Sequence, residues 1–341
     1  MIHENVNFRE VKRLSAEVRS QLRSGVVITN MAQCVVELVL NALDAGATSI
    51  AVRVNFNYFK VQVVDNGCGM KLEELDLIGE RFMTSKCHSI SDLCNNLKSF
   101  GFRGEALASI REISGLLILE SRPQEDDVTY SKAFNHGKAH KANISATKRA
   151  THGTTVTVHD FMYNMPVRRQ RLQSAIDLEE IKSSMESIAL IQPQASFSLR
   201  NDTNGNLVLH TWKCSDTLTA FTHLFGQDIA STLVCVGSTL SEFKINGYIS
   251  REGHYHKNLQ FIYINKRLVL KTKLHKLANS MLANSVLLKN NAGNDLPISK
   301  EGTVGRWLAF SPPRREKHAI FILNIECPFM LTIFVWILKR R

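Results

Sequence analysis

Apolar residues recur at helical spacing from Asn30 to Ala45. Met31, Val35, Leu38, Val39 and Ala42 share one face, so the stretch predicts an amphipathic helix. Thr29 or Asn30 can cap its start, and Gly46 can end it. The period then changes. Ser49–Asn55 and Phe59–Val64 alternate apolar with polar positions, as strands do. The second run leads into Asp65-Asn66-Gly67-Cys68-Gly69-Met70, whose two glycines permit a tight turn and close approach of backbone to a ligand. Helical spacing returns at Leu72–Ile78, Arg103–Glu112 and Ile176–Leu190, and a shorter helix or arm is expected at Leu14–Leu22. Strand-like runs cover Leu116–Ser121, Val128–Phe134 and Thr154–His159.

After Pro193 strands and helices alternate. Strands are expected at Phe197–Arg200, Leu207–Trp212, Thr232–Val236, Phe243–Ser250 and Gln260–Asn265, with helices around Thr217–Leu224 and from about Lys273. A chain of 341 residues has room for two domains. The expected division is an extension at 1–13, a first domain at 14–195, a second at 196–288, a polar loop at 289–317, and a last strand with an apolar tail at 318–341. Asn324, Glu326 and Pro328 interrupt the apolar run from Ala319 to Leu338, so it falls short of a membrane span and no membrane is expected.

Charge adds a partner class. The net charge is +11 and the isoelectric point about 9.4, which favours an acidic partner: nucleic acid first, an anionic membrane surface second. Between Lys244 and Lys276 eight Lys or Arg face one acid, Glu252. The alternative is a solvated basic face. Seven scattered cysteines with no Cys-x-x-Cys pair favour a reducing compartment and no zinc site. Met1 to Arg13 has no apolar core and is not a secretory signal.

Candidate chemistry gathers between residues 30 and 110. Glu37, Asn41 and Asp44 are spaced i, i+4, i+7 and project from one helix face. The Glu37 carboxylate can take a proton from water, and the Asn41 amide oxygen suits a magnesium ion that also holds phosphate oxygens. A solvated polar stripe has the same spacing. Asp65 can accept a hydrogen bond from an exocyclic amine such as that of adenine, or the turn can be only a turn. Lys86 to Lys98 is a polar segment suited to a lid. Gly101 and Gly104 precede a helix and can cradle phosphate with free N–H groups. There is no P-loop run and no full Gly-x-Gly-x-x-Gly after a strand.

Four runs, in this order, resemble the ATP-binding motifs of the gyrase, Hsp90, histidine-kinase and MutL superfamily: Glu37 to Ala45, Asp65 to Met70, Thr84-Ser85-Lys86, and Phe100 to Leu107. Gly101-Phe102-Arg103-Gly104-Glu105-Ala106-Leu107 resembles the signature heptapeptide of MutL mismatch-repair proteins. Leu22 to Gly25, Phe82 to His88 and Asn265 to Leu270 resemble the eukaryotic MutL homologue 3 branch. The resemblance covers roughly residues 14 to 285. It implies an α+β chain, with a GHKL (Bergerat) ATPase α/β sandwich followed by a ribosomal-S5-like α/β domain.

Carried onto this sequence, the resemblance makes Glu37 the general base and Asn41 the magnesium ligand. ATP would be bound by Asn41, Asp65, Gly69, Met70, Thr84, Lys86, Gly101, Phe102, Arg103, Gly104, Glu105, Ala106 and Thr155, with Asp44 as support. DNA would meet Arg251, Lys257, Lys266, Arg267, Lys271 and Lys273. The implied cofactors are ATP and Mg2+. The implied partners are DNA, another MutL homologue as heterodimer partner, and MutS-type mismatch recognition proteins, in the nucleus. Such a chain is expected to be a weak ATPase acting as a switch in mismatch repair or meiotic recombination. The family's second-domain lysine has no His-Pro-x-Lys-type match, and the acidic metal motif of its C-terminal endonuclease domain is not found. The alternative is a truncated, non-hydrolysing module that binds nucleotide or a partner.

Overall fold

The computed structural model describes residues 15–83, 86, 99–101, 104–255, 258–270, 272–283 and 317–328. The chain divides into two compact units. One comprises Met1–His88, Gly101–Ser184 and Phe197–His210; the other comprises Ser89–Phe100, Met185–Ser196 and Thr211–Arg341.

The first unit opens with helices α1 (Ala16–Val27) and α2 (Met31–Asp44). Asn30 caps α2 by accepting from Gln33 N at 2.8 Å, and Gly46 leaves it with φ 74°. Strands β1 (Ser49–Asn55) and β2 (Lys60–Asp65) follow, then α3 (Leu72–Leu77), α4 (Ala106–Ile113), β3 (Ser114–Arg122) and β4 (Tyr130–Asn135). Two-residue strands β5 (Lys138–Ala139) and β6 (Asn143–Ile144) lead to β7 (Gly153–Phe161) and α5 (Ser174–Ile191), whose residues from Met185 belong to the other unit, then to β8 (Ser196–Asn201) and β9 (Asn206–Thr211). The sheet runs β5-β4-β3-β7-β2-β1-β8-β9, with β6 also on β4. Helix α2 packs on β1, β2 and β7, and α1 packs on α4. The buried face of α2 is Met31, Cys34, Val35, Leu38, Val39 and Ala42. This apolar stripe roots the helix in the core and leaves its polar stripe free for chemistry. Strands β8 and β9, which sequence assigns to the second domain, extend this first sheet beside β1. The pairing of β8 with β1 is long-range and has no local sequence signal, whereas β9 folds back on β8 across the short turn at 202–205.

The second unit contains α6 (Thr217–Phe225), β10 (Leu233–Leu240), β11 (Phe243–Ser250), β12 (Gln260–Ile264), β13 (Arg267–Val269), α7 (Lys273–Ala283) and β14 (Phe321–Glu326). Its sheet order is β10-β11-β14-β12-β13, with β12 and β14 parallel. One core joins Phe221, Phe261, Tyr263, Ile320 and Ile322, and the buried Tyr263 hydroxyl donates to Ser187 O at 2.6 Å. Among the described residues no single helix is long and apolar enough to cross a membrane. The 1–13 extension, most of the 86–98 segment, the 289–317 loop apart from Lys317, and residues 329–341 lie outside the described residues.

Candidate active site

The polar stripe of α2 carries Glu37, Asn41 and Asp44. Gln33 Nε2 donates to Glu37 Oε1 at 2.7 Å, one turn earlier on the same helix. Asp44 has a side chain only 3% exposed. Its Oδ2 accepts from Lys86 Nζ at 2.7 Å and from Gly101 N at 2.9 Å. Lys86 Nζ also donates to Asn41 Oδ1 at 3.0 Å. An ammonium thus stands between the amide oxygen and the carboxylate, so this corner of the site accepts positive charge. A hard oxygen beside a carboxylate also fits a magnesium ion.

Asp65 is built into the site by strand alternation. It follows Val61 and Val63 on the buried side of β2, where a third apolar residue would continue the core. The residue is 8% exposed. Oδ1 accepts from Gly67 N at 2.8 Å and Thr154 N at 3.1 Å. Oδ2 accepts no hydrogen bond among the described residues. Burial raises the carboxyl above the usual range, and the Gly67 and Thr154 amides, Arg149 and His152 pull the other way. The result is a buried acceptor with one oxygen held and one presented.

The glycine turn is sterically required. Gly69 has φ +72°, and a Cβ there would lie 2.1 Å from Arg122 O. Met70 N is held by Ser121 Oγ at 2.9 Å. At Gly153 (φ +118°) a Cβ would lie 2.2 Å from Asp65 O, so the backbone of β7 closes directly onto the acidic residue.

Gly104 O accepts from Phe82 N at 3.2 Å, and α4 begins at Ala106 with Glu105 at its cap position. Glu105 is buried and ion-paired with Arg23 of α1. Its carboxylate therefore supports the loop, and only its main chain suits a phosphate. Thr155 is buried on β7, and its Oγ1 accepts from Arg149 Nη1. The structure thus brings Asn41, Asp44, Lys86 and Gly101 into one cluster, with Glu37 one turn earlier on α2, and Asp65, Gly69, Met70 and Thr155 into a second within the same unit. Thr84, Phe102 and Arg103 lie outside the described residues.

The basic set of the second unit is less uniform than the sequence suggests. Arg251, Lys266 and Lys273 are exposed. Arg267 is 9% exposed; its guanidinium donates to Ser99 O and lies 6.0 Å from the Phe100 ring centroid. Buried inside its own unit, it does not belong to an exposed basic face. Lys257 and Lys271 lie outside the described residues. Sequence reasoning missed Gln33 and Arg149. The i, i+4 spacing of Gln33 to Glu37 could have revealed the first; nothing local signals the second.

Comparisons with known proteins agree with this architecture. Residues 28–162 match the family of histidine kinase-, DNA gyrase B- and HSP90-like ATPases. Residues 221–292 match the family described as the DNA mismatch repair protein C-terminal domain. The chain is 41% identical to the human DNA mismatch repair protein Mlh3 over 94% of its own length and 22% of that protein. It is 36% identical to MLH3 of Arabidopsis thaliana over 70% of its length and 21% of the relative. It therefore spans about a fifth of these curated relatives. MutL of Halothermothrix orenii is 34% identical over 78% of this chain and 41% of that protein. Among solved structures, the N-terminal domain of a DNA repair protein aligns with TM-score 0.68 at 24% identity, over 92% of this chain and 87% of that one. The Aquifex aeolicus MutL ATPase domain complexed with ADP aligns with TM-score 0.59 at 20% identity, over 90% and 96%. At these identities the structural likeness speaks for the fold.

Proposed function

The chain belongs to the MutL family of DNA mismatch repair proteins, and from that premise we propose that it is an ATP-binding, slowly hydrolysing N-terminal half that acts as a nucleotide switch. The observation that carries the reading is the pairing of two features in one unit. The buried Asp65 presents a partnerless oxygen beside the Gly69 turn, and α2 projects Glu37, Asn41 and Asp44.

Each residue has a part that its chemistry suits. Asp65 Oδ2 accepts the 6-amino hydrogen of adenine. Asn41 Oδ1 holds Mg2+, which supplies positive charge against the triphosphate. Lys86 leaves Asn41 for the phosphates, while Asp44 keeps the Gly101 amide in place. Glu37, oriented by Gln33, takes the proton from the attacking water. ADP in the Aquifex aeolicus MutL ATPase domain supports nucleotide as the ligand class.

At the level of the whole protein, ATP favours dimerisation with another MutL homologue. The exposed Arg251, Lys266 and Lys273 contact DNA phosphates, and MutS-type proteins act upstream, in the nucleus. Mismatch repair and meiotic recombination are the processes served. A non-hydrolysing module is the second reading. It is favoured by the Lys86 ammonium, which sits on the amide oxygen assigned to the metal.

The test is equilibrium binding of ATP with and without Mg2+, to wild type and Asn41→Ala. The reading expects magnesium to tighten binding in wild type and to have little effect in Asn41→Ala. Magnesium-independent binding in both would remove Asn41 from the metal's coordination.

A further inference from the structure

Arg149 lies in the polar segment before β7 and is fastened by its main chain. Its N donates to Thr129 Oγ1 at 2.9 Å, and its O accepts from Arg122 Nη1 at 3.0 Å. The side chain reaches back into the first unit's acidic corner, 84 positions away in sequence. Nη2 donates to the Asp65 main-chain oxygen at 2.7 Å, and Nη1 donates to Thr155 Oγ1. Nε is buried and has no hydrogen-bond partner.

These contacts have a chemical direction. A guanidinium only donates, so Thr155 Oγ1 is the acceptor in that bond. The hydroxyl proton is left to donate elsewhere, and among the described residues it donates to nothing. The positive charge also sits against Asp65, whose carboxylate is buried and accepts two amides on Oδ1 alone. Arg149 therefore favours one acceptor at Asp65 and one donor at Thr155. Adenine presents the complement: an amino donor at C6 and a ring acceptor at N1. A 6-oxo purine reverses both, with a carbonyl at C6 and an N–H at N1.

We propose that Arg149 sets the donor and acceptor polarity of the base site, so that it takes a 6-amino purine and rejects a 6-oxo purine. This rests on the nucleotide-site reading above. Arg149 acts through Asp65 and Thr155 and is a positioning residue. A site whose buried polar groups would be left mismatched rejects an analogue far more strongly than one that only fits its shape. Without the guanidinium, Asp65 is neutralised more readily, and a protonated carboxyl can donate to a 6-oxo group. The charged and titratable groups acting on Asp65 are Arg149 and His152, both from the segment before β7. His152 Nδ1 bonds Gly67 O at 2.7 Å, which requires the proton on Nδ1. Variants are compared at fixed pH as well as across pH.

The experiment measures affinity for ATP and for inosine triphosphate, which differ only at the C6 and N1 edge. Wild type, Arg149→Gln and Arg149→Lys are each titrated at pH 6 and pH 8, with thermal unfolding recorded for each. Wild type is expected to prefer ATP at both pH values. Arg149→Gln should lose about tenfold of that preference at pH 6, the scale of one hydrogen bond to a charged group, and less at pH 8. Arg149→Lys keeps the charge and should retain most of the preference at pH 6. Carboxyl carbon NMR of Asp65 in the nucleotide-free protein should give a higher midpoint in Arg149→Gln than in Arg149→Lys. An unchanged ATP-to-inosine-triphosphate ratio in a folded Arg149→Gln overturns the inference alone. Should Arg149→Gln fail to fold, equal Asp65 midpoints in wild type and a folded Arg149→Ala would overturn it. A wild type that binds neither nucleotide overturns the nucleotide-site reading, and this inference with it.

Discussion

The ammonium of Lys86 lies 2.7 Å from Asp44 Oδ2, a carboxylate oxygen whose side chain is almost sealed from solvent. The same oxygen accepts from Gly101 N at 2.9 Å. One buried atom on α2 thus holds two positions that the sequence separates by a polar segment. The carboxylate is a clamp, and the glycine loop depends on it.

Replacing Asp44 with Ala therefore leaves the Gly101 amide without this acceptor and takes the carboxylate away from the Lys86 ammonium, which keeps Asn41 Oδ1. Loss of a charged, buried hydrogen-bond partner costs about 1–3 kcal/mol. We expect denaturant unfolding of Asp44→Ala to show that loss, together with weaker ATP binding. Unchanged stability would mean that the clamp is not maintained in solution.

Asp65→Asn separates stability from binding. Burial holds the Asp65 carboxyl above the usual range, so at neutral pH its ionised form works against folding. Asn keeps an oxygen for the Gly67 and Thr154 amides and removes that charge. The variant should be as stable as wild type or more so near pH 8. The gain should shrink as pH falls through the raised carboxyl's titration, where wild type loses its charge too. ATP affinity should fall by about tenfold or more, because an amide NH2 facing the adenine amine cannot accept. Thermal scans against pH, with parallel ATP titrations, check both halves.

Gly69→Ala tests the turn. The added Cβ would meet the Arg122 carbonyl, which is backbone and cannot rotate away. A cost of about 1–3 kcal/mol is expected from the positive φ, with more from the contact. A midpoint of unfolding equal to wild type would show that the turn adopts another conformation.

These features differ in how much of them the sequence reveals. Helix α2 was legible nearly to the residue, because apolar period, cap and terminal glycine all agree at Asn30, Met31 and Gly46. β1 was legible for the same reason of strict alternation. β10 was expected only to Val236 and runs to Leu240. Its polar end, Gly237-Ser238-Thr239, carries no alternation yet pairs with Asn246, Ile245 and Lys244. β5 and β6 are too short for any period to register. Helix α4 starts at Ala106, later than the expected Arg103, because Gly104 takes a positive φ. Within the site, Glu37, Asn41 and Asp65 stood out by position on their elements. The Arg149 contacts did not, since a polar loop residue says nothing of a strand end 84 positions away. Arg267 shows the converse: a basic residue in a basic run that folds into its own unit.

The basic surface of the second unit gives a salt-dependent prediction. Arg251, Lys266 and Lys273 are exposed, and reversing all three to Glu removes up to three phosphate contacts. Binding to duplex DNA should weaken across all sequences, and the slope of log affinity against log salt should fall by about 2–3. Fluorescence anisotropy between 50 and 200 mM salt (roughly the range over which such slopes are read) measures it. An unchanged slope would place DNA elsewhere or nowhere on this chain.

Single-turnover phosphate release decides whether α2 carries a hydrolytic base in a nucleotide switch. Purified wild type and Glu37→Ala are mixed with ATP and Mg2+, and bound nucleotide and released phosphate are followed together. Both should bind ATP, wild type should release phosphate slowly, and Glu37→Ala should release it about 10²–10⁴-fold more slowly still. Equal release from the two proteins, or binding without release in wild type, would contradict a hydrolytic base on α2.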